Sequence, residues 1–143
     1  MNENLPRWVF ASLSKYLEGQ VKNYKFRVEG EDRGAGNDSL ELRIDGPNMV
    51  ESTVGEQYFD VFVNILVMSV RDERDTHKHQ KAVGVAAAAL TGDIPLLKYG
   101  DGDQQIGCMI RRERVDITNF GTVEGRPNLV FSTVETKYCF TLT

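Results

Sequence analysis

Apolar and polar positions follow two rhythms along this chain, and the order in which they appear predicts the fold. Near the start, Val9, Leu13, Tyr16 and Leu17, with Trp8 flanking, recur at the spacing of one helix face. Asn4 ahead of Leu5-Pro6 reads as a cap followed by a first-turn proline, and Gly19 as a stop, so a helix is expected over residues 5–18. The period then falls to two. Residues 24–29 alternate aromatic and charged side chains, and Leu40, Leu42 and Ile44 alternate with Glu41, Arg43 and Asp45 until Gly46-Pro47 ends the strand. Between these strands, residues 30–39 have loop chemistry throughout.

Residues 56–70 carry the strongest strand signal. One face is wholly apolar (Phe59, Val61, Val63, Ile65, Val67) and suits a core. The other, Tyr58, Asp60, Phe62, Asn64, Leu66 and Met68, mixes large apolar groups with polar ones and is expected to be partly covered. At about 3.3 Å per residue the strand reaches roughly 45–50 Å, against the usual 17–20 Å or so.

Asp75-Thr76 opens a second helix over residues 77–90, alanine-rich in its second half and stopped at Gly92. A connecting stretch follows Pro95, and Gly100-Asp101-Gly102-Asp103 reads as a turn. Residues 104–120 and 127–142 then look like a long antiparallel pair, with Val130, Val134, Tyr138, Phe140 and Leu142 on one face. The expected class is α+β in one domain, residues 1–143. It has an antiparallel or mixed β-sheet with two helices packed on it, in the order α-β-β-β-α-β-β.

Composition supports a folded chain. Its 143 residues suit one domain, and 41% apolar with 27% charged residues is near the globular average. A net charge of −4 argues against nucleic acid as the main partner. No apolar run has the length of a membrane span, and the first residues lack the basic and apolar regions of a secretory signal. Cys108 and Cys139 make no disulfide framework and read as buried thiols, which suits assembly in a cytoplasm.

No motif points to catalysis, a cofactor or a metal. His77 and His79 are two residues apart, which turns their rings about 200° from each other on a helix, so both read as part of a solvated face. Asp101-Gly102-Asp103 lacks the further acidic positions of a calcium loop. Gly30, Gly34 and Gly36 form no phosphate-binding pattern. Neither cysteine sits at a helix start, and the basic neighbour that could lower a thiol pKa is Arg111 near Cys108. Arg111-Arg112-Glu113-Arg114 is the densest basic stretch. Strand alternation puts Arg112 and Arg114 on one face with Ile110, and Arg111 and Glu113 on the other with Met109. A solvated or inter-subunit salt-bridging face is the first reading, and a surface meeting passing DNA the second.

The chain resembles a family in its layout. An N-terminal helix over residues 5–18, a strand pair, the apolar strand over 58–70, a helix over 75–90 and the closing Glu135-Thr136-Lys137-Tyr138-Cys139-Phe140-Thr141-Leu142-Thr143 strand are similar to the tail terminator, or tail-completion, proteins of long-tailed bacteriophages. The resemblance implies a virion protein without catalytic residues, assembled in the host cytoplasm. Its implied form is a homo-oligomeric, hexameric ring that caps the tail tube, joins it to head–tail connector proteins and lets DNA through its lumen. Tyr58, Phe62, Leu66, Met68, Arg111, Arg112 and Arg114 are the candidate subunit contacts. The alternatives are a head–tail connector or tail-tube component, a small ligand-binding domain or degenerate enzyme, or a nucleic-acid binder using the three arginines.

Overall fold

The computed structural model describes residues 3–21, 24–28, 41–51, 58–70, 76–100, 102–123 and 126–141. The predicted loop over residues 30–39 and the acidic cap Asp75 lie outside them. Two helices and seven strands run in the order α1 (Leu5–Gln20), β1 (Lys25–Val28), β2 (Glu41–Glu51), β3 (Tyr58–Val70), α2 (Thr76–Ala89), β4 (Ile94–Leu97), β5 (Gln105–Arg111), β6 (Asp116–Val123) and β7 (Arg126–Thr141). The sheet order is β1-β2-β3-β7-β5-β4, with β6 also paired to β7. Only β1 and β2 run parallel, so the sheet is mixed, within the α+β class expected.

The two long strands form its spine. β3 and β7 pair without a break from Tyr58↔Thr141 to Val70↔Leu129. Period-two alternation then sorts every side chain to one of two faces. Phe59, Val61, Val63, Ile65 and Val67 are all buried, as are Val134, Tyr138 and Phe140 beside them on β7. Phe59 stacks on Phe140 with ring centroids 5.0 Å apart.

Both helices lie on this face. Leu5, Trp8, Val9, Leu13 and Leu17 of α1 and Ala82, Val83, Ala86 and Ala89 of α2 belong to the same core cluster as the apolar face of β3. Two polar links fix them. The Ser12 hydroxyl accepts from the Leu97 N–H at 3.0 Å, holding α1 to β4, and the Tyr138 hydroxyl donates to the Leu90 carbonyl at 2.8 Å, closing the end of α2. Burial pushes that phenol well above its ordinary pKa.

Several boundaries differ from expectation for local reasons. Gly19 does not stop α1; the helix runs to Gln20 and ends where the Val21 N–H reaches the Leu17 carbonyl. Asn4 occupies the cap position through its backbone carbonyl, which accepts from Trp8 at 3.0 Å, and its side chain makes no cap bond. Gly46-Pro47 bulges β2 rather than ending it. Pairing with β3 shifts between Asp45 and Asn48, and Gly46 takes a φ of 93° that a side chain would resist. The connecting stretch at Pro95 is the edge strand β4, where an exposed proline is tolerated.

Residues 104–120 are not one strand. β5 meets β7 at Ile110↔Cys139 and Arg111↔Tyr138, the chain leaves the ladder, and β6 resumes at Asp116↔Glu135. At the break the Thr136 hydroxyl lies 3.0 Å from the Glu113 carbonyl and 3.1 Å from that of Arg114, compensating carbonyls that have left the sheet.

Candidate functional site

The second face of the sheet carries most of the exposed large apolar side chains among the described residues. No described helix covers it, because α1 and α2 both sit on the opposite face. Its β3 row is Tyr58, Asp60, Phe62, Asn64, Leu66 and Met68, facing Thr141, Cys139, Lys137, Glu135, Thr133 and Phe131 across the ladder. Among the described residues six large apolar side chains stand exposed, and four of them are on this face: Val50 (52%), Phe62 (43%), Ile110 (43%) and Phe120 (53%). Register places Val50 beside Asp60 and Ile110 beside Cys139, and Phe120 stacks on Phe131 at 4.8 Å. Scattered exposed apolar groups are ordinary; four on one uncovered sheet face are not.

Charge is interleaved with them. Lys137 pairs with Glu113 at 3.1 Å and lies 6.0 Å from the Phe62 ring centroid, and its bond to Glu113 raises its pKa. Arg114 pairs with Asp116 at 3.2 Å. These residues, with Asn48, Asn64 and Glu135, line a shallow cavity of about 200 Å³ at the break between β5 and β6. Asn64 stands directly opposite Glu135 across the ladder, and its side-chain oxygen is buried without a hydrogen-bond partner among the described residues.

Of the sequence-predicted contacts, Tyr58, Phe62, Leu66 and Met68 do share this face; Phe62 is exposed and the other three are half-buried. Arg112 and Arg114 are exposed near it, whereas Arg111 is half-buried and opposite Tyr138, on the helix side. Glu113 was expected beside Arg111, yet its carboxylate meets Lys137 on the open face, because alternation ends with β5 at Arg111. Sequence reasoning missed Val50, Ile110 and Phe120. The alternation of Ile110 with Met109 carried that signal, but the Phe120 position depends on the register shift between Asn119 and Gly121.

The expectation of buried thiols holds for Cys139 and not for Cys108. Cys139 is buried and Cys108 half-buried. The basic neighbour is Arg112, whose Nε donates to Cys139 Sγ at 2.9 Å and whose pKa is raised by that bond. Hydrogen bonding to Cys139 raises the Tyr58 hydroxyl as well. Burial and the nearby Asp93 raise Cys108, which makes it a poor nucleophile.

His77 is exposed as expected, but His79 is 6% exposed and not part of a solvated face. Ser132 donates to Asn119 Oδ1 at 2.6 Å, so its oxygen must accept from His79 Nε2–H at 2.9 Å. Nδ1 is then bare and accepts from the Ser69 hydroxyl at 2.7 Å. This relay ties α2 to β3, β7 and β6, and burial lowers the imidazole pKa. Below the ordinary value near 6.5 the unfolded chain binds a proton that the folded chain refuses. Stability is therefore expected to fall as pH drops from about 6.5 towards the depressed value. In urea unfolding, the stability gap between wild type and His79→Asn should narrow over that window; a pH-independent gap contradicts the assignment.

Among the described residues no three His, Cys, Asp or Glu side chains gather as a metal site, and no helix is long and apolar enough to cross a membrane. No family model matches the chain. No curated protein matches it either. Solved structures do. A chain from the virion of a native gene transfer agent particle aligns over 99% of this chain and 98% of its own length, with TM-score 0.57 and 9% identity. A second solved structure aligns over 100% of this chain and 96% of its own, with TM-score 0.52 and 11% identity. At these identities the likeness is one of fold.

Proposed function

We propose that this chain is a structural subunit of a virion, a ring-forming tail terminator that ends tail-tube growth and offers a surface to head–tail connector proteins. The observation that carries the reading is the end-to-end match of its fold to a chain of a virion particle. The exposed apolar side chains on the face that no described helix covers support it, because apolar groups clustered on one exposed face mark a site of protein association. Each subunit acts by self-association, and the lumen of the ring passes DNA without binding a particular sequence. Heterologous contacts that close give a ring, and six copies is the number that the resemblance to tail terminator proteins implies.

The test is native mass spectrometry of the full chain together with electron microscopy of tail tubes assembled with and without it. The expected result is a closed oligomer bound at one end of tubes of uniform length. A chain that binds along the whole tube is a tube component, one that binds only the head side is a connector, and one that stays monomeric beside tubes is neither.

A further inference from the structure

The geometry points to the partner of the open face: the outward side of α2 on a second copy, with Lys81 entering the cavity at Glu135 and Asn64. This inference rests on the proposed self-association and specifies which surfaces meet.

The cavity calls for a donor-rich cation. Lys137 is engaged by Glu113 and Arg114 by Asp116, so among the described residues Glu135 is the cavity's carboxylate that no cation answers. Asn64, opposite it across the ladder, lines the same cavity. A carboxylate without a cation in an open cavity matches an ammonium group, which carries three donors and no acceptor.

Lys81 answers that description. Lys15 lies over the Tyr99 ring and Lys98 over Trp8, Lys137 and Arg114 hold carboxylates, and Arg112 holds Cys139. Lys81 is exposed and has no such engagement among the described residues. It lies on a helix with no acidic residue from Thr76 to Ala89, so this side of α2 is cationic. His77, Lys81, Gly84 and Ala88 are all exposed at a spacing of three or four, one stripe that is cationic at one end and small at the other. A side chain built at Gly84 would meet nothing within 4 Å, so the small end is a shallow bed open to a bulky group. The sheet face supplies the converse, Phe62 projecting beside an acidic cavity.

The two surfaces lie on opposite sides of one subunit, since α2 covers the face that Phe62 does not. They cannot meet within a chain or in a two-fold pair using the same patch twice. They meet only front to back, the heterologous contact from which rings and filaments are built.

Charge exchange on the full-length chain tests this by native mass spectrometry and sedimentation. Lys81→Glu and Glu135→Lys should each weaken association about tenfold or more, and the double exchange should recover most of it. Glu135→Gln, which keeps the shape, should weaken it as well. All sites are exposed, so melting curves should be unchanged. Single variants that assemble like wild type, or a double variant no better than either single one, overturn the pairing while leaving the ring intact. A wild-type chain that stays monomeric overturns both.

Discussion

Phe59→Ala is expected to destabilise the chain by about 3–5 kcal/mol, the range for removing a large aromatic side chain from a packed core. Phe59 is 1% exposed, lies on the helix-covered face of β3 and stacks on Phe140 with an interplanar angle of 18°. The helices are pinned elsewhere, by Ser12 to β4 and by Tyr138 to the end of α2, so they cannot simply settle into the space left behind. A cavity would remain, and its cost adds to the lost transfer energy. A loss of this size takes up a large part of the total stability of an ordinary domain, so a marginal variant is the expected outcome. Urea unfolding of Phe59→Ala beside Phe62→Ala measures it. Three residues further on, Phe62 points to the open face, and its removal should cost the isolated subunit less than about 1 kcal/mol. Equal losses at the two positions would mean that the faces of β3 are wrongly assigned.

That contrast between neighbours in one strand was legible in the sequence, because a strand's period of two writes each face as a separate series. The apolar series of β3 emerged in the core, as did Val134, Tyr138 and Phe140 of β7, while Val130 is half-buried and Leu142 lies outside the described residues; the order of elements followed. What was not legible depended on contacts distant in sequence. Ile94-Pro95-Leu96-Leu97 is short and broken by a proline, and only its pairing with β5 makes it a strand. The break after Arg112 leaves the Glu113 and Arg114 carbonyls to the Thr136 hydroxyl, more than twenty residues away. His79 looks like any polar residue near a helix start until Ser69 and Ser132 are brought to its two nitrogens. The same limit applied to the open face. The sequence placed Tyr58, Phe62, Leu66 and Met68 together, but whether the helices covered them was a question of which face each helix chose. Both helices chose the wholly apolar one, since burying Asp60 and Asn64 against a helix would have needed a partner for each polar group.

Exposure of that face sets the second expectation. Phe62→Ser combined with Ile110→Ser should abolish self-association at micromolar concentration while leaving the fold intact. Aromatic anchors at the centre of an interface commonly carry about 2 kcal/mol or more each, roughly thirtyfold in the dissociation constant. Phe62 lines the cavity together with Lys137, and Ile110 is opposite Cys139 on the same face, so a partner laid across this face would bury both. In the isolated subunit both are 43% exposed, and serine in their place removes apolar surface from water without opening a void. The melting temperature should therefore move by no more than a few degrees. The informative control is Phe10→Ser on α1, which is exposed to a similar degree but lies away from the open face. Loss of association with Phe62 and Ile110 but not with Phe10 identifies the sheet face as the joining surface. Loss with all three would mean that exposed apolar area in general drives association, and the specific front-to-back contact would have to be given up.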